Sequence, residues 1–158
     1  MENDIRLPKS NVLRLRITDD TGKPTGNYLE FDFEDMELLL RYQELQEKDR
    51  KNRDWLKKEI IIINKREDIK GKKFLSKNEE DIIKARNKFF IEEAKVYNMF
   101  LGENGVEKLL NGRKFGFRTL EKIDEIIKEQ ILPFIEKKTD EMEKEIMNKY
   151  KEENEEVI

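Results

Sequence analysis

S-K-N-E-E-D-I-I-K-A-R-N-K-F-F-I-E-E-A-K-V-Y-N-M-F-L-G, residues 76–102, decides how the rest of the chain is read. Ser76 and Glu79 form the S-x-x-E capping box, in which each side chain satisfies an orphan N–H of the first helical turn. Ile83, Phe90, Ala94, Tyr97 and Leu101 then recur at helical spacing, with Ile82, Phe89, Val96 and Phe100 beside them. Gly102 suits a left-handed stop. The pattern predicts an amphipathic helix over 76–101.

Upstream, Leu13, Leu15 and Ile17 alternate with Arg14, Arg16 and Thr18, the period of a half-buried strand. Residues 19–27 are rich in turn formers, and Leu29, Phe31 and Phe33 then alternate with Glu30 and Asp32. A β-hairpin over 12–33 follows, with Glu30 and Asp32 placed to pair with Arg14 and Arg16. A lone hairpin is marginal in water, so its apolar face must dock elsewhere. Asp35 is the expected N-cap of a helix over 35–64. Its apolar residues include Leu38, Leu39, Tyr42, Leu45, Trp55, Leu56, Ile60 and Ile63, with E-K-D-R-K-N-R-D, residues 47–54, between. That polar stretch reads as a solvated part of one long helix or as a join between two collinear ones. The Ile60–Ile63 run also fits a short buried strand.

Downstream, residues 65–73 read as a basic loop, 106–111 as a short helix closed by Gly112, and 113–118 as a basic-aromatic loop. Thr119 is the expected cap of a last helix over 119–152. Its stripe runs through Leu120, Ile123, Ile126, Ile127, Ile131 and Leu132. Pro133 lacks an N–H and clashes with the preceding turn, so a kink or break is expected there. Phe134, Ile135, Met142, Ile146, Met147 and Tyr150 continue a stripe beyond it, and 153–158 read as a frayed acidic tail. A hairpin followed by about four helices, without βαβ alternation, predicts a single α+β, mainly α domain over 1–158.

The composition excludes much chemistry. The 158 residues contain no cysteine and no histidine, which removes thiol nucleophiles, disulfides, imidazole bases and the commonest transition-metal ligands. Charged residues make up 44% and hydrophobic ones 36%, a balance suited to helices with thin apolar stripes. The net charge of −3 is unevenly spread: −5 over residues 1–47, +7 over 48–77, +1 over 78–119 and −6 over 120–158. Such a chain satisfies its own field by packing acidic helices beside the basic one, or by self-association. No stretch approaches the roughly 20 apolar residues of a membrane span. The acidic start (Met1, Glu2, Asn3, Asp4) has no signal-peptide core. A cytoplasmic protein without a membrane partner is expected.

No phosphate-binding glycine loop is spelled out, since Lys70-Gly71-Lys72-Lys73 lacks the required spacing. Asp19 and Asp20 fit ordinary turn chemistry better than a metal site. Glu79/Glu80 and Glu92/Glu93 are expected on helix faces away from the apolar stripe. No catalytic residue, metal site or cofactor is therefore assigned. The basic segment, with Lys57, Lys58, Lys65, Arg66, Lys72 and Lys73, is the best nucleic-acid candidate, and Trp55 and Phe74 could stack on bases. The sequence pI near 5.4 argues against it. Phe115 and Phe117 either fold into the core or present an aromatic anchor, and the stripe beyond Pro133 suits another subunit or a client.

The run Phe90-Ile91-Glu92-Glu93-Ala94-Lys95-Val96-Tyr97-Asn98-Met99-Phe100-Leu101-Gly102-Glu103-Asn104-Gly105 resembles a segment of the tail assembly chaperones of tailed phages and prophages from Gram-positive hosts. Lys108-Leu109-Leu110-Asn111-Gly112 and Ile131-Leu132-Pro133-Phe134-Ile135 are similar to stretches that follow in that family. So is the hairpin leading into Asp35-Met36-Glu37-Leu38 and Tyr42. The chain departs from it at Phe115-Gly116-Phe117, where many such chaperones carry an Asn-Tyr pair.

The resemblance implies a non-enzymatic role in viral morphogenesis. Such a chaperone coats the helical tape measure protein in the host cytoplasm while the tail tube assembles, and often forms a homo-oligomer. The candidate partner-binding residues are Phe100, Leu101, Phe115, Phe117, Phe134, Met142, Ile146, Met147 and Tyr150. The other readings are a structural or scaffold component of a phage particle, and a nucleic-acid-binding or inhibitor accessory protein.

Overall fold

Alternation at the N-terminus produces β1 (Val12–Thr18), paired antiparallel with β2 (Pro24–Asp32) in a two-stranded sheet. The structure, a computed structural model, describes residues 2–8 and 11–156. Leu13 lies opposite Phe31 and Leu15 opposite Leu29, so one face of the hairpin is apolar. Arg14 and Glu30 form the expected cross-strand pair at 3.2 Å. Arg16 instead faces Tyr28, and Asp32 turns its carboxylate to the Glu34 N–H at 3.0 Å. The connection is shorter than its turn-rich composition suggested. Asp19 Oδ1 accepts from the Thr21 N–H, the Thr21 hydroxyl and the Lys23 N–H, which closes the turn and lets β2 start at Pro24. The same bonds hold the Asp19 carboxyl below its ordinary range.

The helices are α1 (Leu38–Lys65), α2 (Lys77–Leu101), α3 (Gly105–Leu110), α4 (Phe117–Ile126) and α5 (Leu132–Glu156). The fold is therefore α+β and mainly α. α1 is one unbroken helix of 28 residues, and the polar stretch 47–54 and the Ile60–Ile63 run both belong to it. It starts at Leu38 rather than Asp35. The Asp35 carboxylate accepts from the Glu37 N–H and pairs with Arg41, which holds a turn just before the helix. α1 and α2 run antiparallel, since Arg66 meets Asn78 and Asp81 at one end, Asn52 meets Phe89 midway, and Lys48 meets Met99 at the other. The capping box of Ser76 and Glu79 is present, with Ser76 as N-cap and the helix proper beginning at Lys77.

The turn from α2 to α3 depends on glycine twice. Gly102 ends α2 with φ 95°, a conformation that side chains disfavour. A Cβ on Gly105 would lie 2.5 Å from the Cβ of Leu101, so only glycine lets α3 approach. α3 starts at Gly105 and stops at Leu110, one residue earlier than expected at each end, because Asn111 takes a left-handed φ of 48°.

α4 begins at Phe117, two residues before the expected cap. Thr119 sits inside the first turn and its hydroxyl accepts from the Gly116 N–H at 2.8 Å, reaching back as the glutamate of a capping box does. Pro133 does not break the helix. One π-helical turn, Ile127–Ile131, precedes it, with the Leu132 N–H donating to Ile127 O. An inserted turn of this kind shifts the backbone pattern where a proline cannot donate. α5 then continues to Glu156, so residues 153–156 are helical rather than frayed; no glycine or proline stops them. Val157 and Ile158 lie outside the described residues.

The core joins these pieces. Tyr97, Phe31, Phe89, Leu120, Ile127, Ile131 and Ile135 are its most deeply buried large side chains. Phe100 meets Phe31 at 5.5 Å and Tyr42 at 5.4 Å between ring centroids, which docks the hairpin on the helices. Among the described residues no helix is long and apolar enough to cross a membrane.

Candidate partner-binding surface

The stripe beyond Pro133 loses its cover step by step. Ile135 is 0% exposed. One turn on, Thr139 donates its hydroxyl to Ile135 O at 2.7 Å. Met142 is partly buried, with the Asn11 side-chain amide 3.8 Å from its sulfur. Ile146 is 51% exposed and Tyr150 61%. These positions lie on one line along α5 at spacings of three and four. The line starts in the core and ends in solvent.

The last part of that line faces other exposed apolar groups. A shallow groove between the start of α1 and α5 is lined by Phe33, Met36, Leu39, Met142 and Ile146. Met36, Leu39 and Leu40 are exposed beside it. Its walls are side chains of the turn between β2 and α1 and of two helices, with Asp35 and Glu143 among them. Such a groove suits an amphipathic helix, which reads as apolar anchors set against a polar edge.

The other sequence candidates divide. Phe134, Met147 and Tyr150 are exposed on α5. Phe100 and Leu101 are buried in the core between α2 and the hairpin, and present no surface to a partner. Phe115 packs on Phe90 at 5.3 Å, and Phe117 lies 4.9 Å from Phe90 and 6.0 Å from Phe89. The basic-aromatic loop thus closes the edge of the core, with Phe117 half covered. Lys57, Lys58, Lys65, Lys72 and Lys73 are exposed, whereas Arg66 is engaged by Asn78 at 2.8 Å and by Asp81. Trp55 is partly buried with Lys88 over its ring at 5.1 Å, and Phe74 stands free in solvent.

The placement of Glu93 differs from its expected one. Glu93 does not lie away from the stripe; it is 0% exposed, one turn from both Phe89 and Tyr97. Its Oε1 accepts from Asn52 at 2.9 Å, and among the described residues Oε2 meets no hydrogen-bond donor. Burial, then the nearby Asp49 carboxylate, pushes its carboxyl up to about 8, so it is neutral at pH 7. Asn52 also donates to Phe89 O at 3.1 Å, which locks α1 against α2. Arg53 pairs with Asp49 at 2.8 Å and reaches Asp124 on α4 at 3.8 Å, and the Tyr97 hydroxyl donates to Asp124 at 2.5 Å. Burial and that carboxylate raise the Tyr97 phenol far above its ordinary range. The network ties three helices together, and Glu93 is sealed from any substrate. The signal was its spacing: Phe89, Glu93, Val96, Tyr97 and Phe100 share one helical face. Among the described residues no group of three or more carboxylates is placed to hold a metal ion.

No family model matches the chain, no curated protein matches it, and no solved structure matches it.

Proposed function

We propose that the protein is a non-catalytic helix-binding protein, a tail assembly chaperone that covers the tape measure protein of a tailed phage in the host cytoplasm. The observation that carries this reading is the apolar line of α5, which leaves the core at Ile135 and passes Met142 to exposed Ile146 beside exposed Met36 and Leu39. A folded chain that keeps such a line in water gains by covering it with another polypeptide. The likeness of residues 90–105 to tail assembly chaperones supports a tape measure protein as that polypeptide. A tape measure exposes repeated apolar helix faces, and many shallow grooves acting together hold it while each remains easy to displace.

Co-expression tests this. The protein should keep a tape measure fragment soluble and co-purify with it. Met36→Asp combined with Ile146→Asp should abolish co-purification while leaving the helical circular dichroism unchanged. Undiminished capture by that variant would overturn the groove. Mass spectrometry of purified particles provides the second check, since a chaperone leaves before the tail is complete and a structural component stays.

A further inference from the structure

We infer that the segment before β1 is a built-in competitor for the groove, with Ile5 and Leu7 folding back onto Met36, Leu39 and Ile146 of the same chain. This deepens the proposed function and rests on the groove being the client's site. Ile5 and Leu7 are 96% and 86% exposed, among the most exposed apolar residues of the chain. Residues 2–8 belong to no helix or strand and are exposed throughout. The structure therefore holds the open form, with Ile5, Leu7 and Met36 all in water. One residue separates Ile5 from Leu7, the spacing that puts two side chains on one side of an extended backbone.

The point of attachment favours this groove. Asn11 O accepts from the Phe33 N–H at 3.0 Å, and the Asn11 side-chain amide lies 3.8 Å from the Met142 sulfur. Phe33 and Met142 both line the groove. The segment thus leaves the fold between two of the groove's own walls. Leu7 is four residues from Asn11 and Ile5 six, a reach of up to about 14 Å and about 21 Å at roughly 3.5 Å per residue. Ile146 lies one turn beyond Met142, about 6 Å along α5. Both apolar side chains reach it with chain to spare. Exposed Ile61 and Ile62 sit at the far end of α1, about 30 Å from Leu39, and are out of reach.

The hold is apolar. Arg6, between the two apolar residues, comes beside Glu143 of the groove, an exposed ion pair of small worth. Glu2 and Asp4 come beyond Ile146, where Lys149 and Glu153 offer both signs of charge. Tethering makes up for the small contact, because a short linker holds Ile5 and Leu7 at high effective concentration over the groove. The groove is then closed for part of the time. A client has to displace the segment, and its apparent affinity falls in proportion to the fraction of chains left open. Each groove is thereby weakened without any change in the contacts that it makes with a client.

Ile5→Ser with Leu7→Ser, made in the full chain, tests this in two ways and adds no charge. In the free protein, the methyl NMR signals of Met36 and Met142 should differ between wild type and variant. That of Met99, beside Lys48, should not. The difference should survive tenfold dilution, since the contact lies within one chain. The affinity for a tape measure fragment should rise at least threefold in the variant. Identical Met36 and Met142 signals in the two proteins would overturn the inference. A difference lost on dilution would overturn it too, by placing the segment on a second copy. So would a fragment that binds both proteins equally, or the variant more weakly. Signals that differ while neither protein binds any tape measure fragment would support the fold-back and overturn the tape measure as client.

Discussion

α2 and α5 are each 25 residues long and each carries an apolar stripe, yet they end up in different surroundings. α2 buries Ala85, Phe89, Val96, Tyr97, Phe100 and Leu101, whereas Ile135 is the buried hydrophobic residue of α5. α1 lies antiparallel along α2 and Phe100 meets the hairpin, while among the described residues α5 is covered near the π turn and at the groove. The comparison teaches that periodicity reports the existence of a face to be covered. Whether the cover lies in the same chain depends on which other elements pack against that face.

The sharpest way to break the comparison is to truncate one side chain in each helix. Phe89→Ala should cost about 3–5 kcal/mol in urea unfolding, as a large core ring leaves a cavity. Ile146→Ala should cost no more than about 0.5 kcal/mol. Similar costs at the two sites would mean that α5 is packed as tightly as α2.

A second difference is electrostatic, because α2 buries a carboxyl. In the unfolded chain Glu93 ionises near its ordinary 4.5, whereas in the fold it keeps its proton to about 8. The folded state therefore holds more protons between those values. Stability should be greatest below pH 4.5 as far as Glu93 is concerned, and should fall as pH rises towards 8, by at most about 1.4 kcal/mol per pH unit. Glu93→Gln should flatten that part of the pH profile in thermal unfolding. A profile unchanged by this substitution would remove Glu93 as its cause.

Smaller effects sharpen the ends of the two helices. Gly105→Ala should destabilise by about 1–3 kcal/mol, since the new methyl group meets Leu101 where α2 turns into α3. Tyr150→Asp at the end of α5 should leave unfolding within about 0.5 kcal/mol of wild type.

Much of this was legible in the residues. The alternation of Leu13, Leu15 and Ile17, the Ser76–Glu79 box and the positions of Gly102 and Gly112 place the hairpin and helices because each is a local rule. Helix starts were less legible: Asp35 and Thr119 both make cap-like bonds, but from before and inside the first turn. Pro133 announces a disturbance without revealing that a π turn absorbs it. The surface was readable as a stripe, whereas its exposure depends on where the core ends, which is a property of the packed chain. Phe100 and Leu101 look the same as Ile146 and Met147 in the sequence and lie on opposite sides of that limit. Glu93 was missed because its charge masks a position that spacing assigns to the core.

Amide hydrogen exchange tests the central claim most directly, with the protein alone and with a tape measure fragment. Residues 139–156 should exchange at least about tenfold more slowly in the complex than alone, while α2 is unchanged. Exchange in α5 that is already as slow as in α2, or that does not respond to any such fragment, would contradict the view that its apolar line waits for another polypeptide.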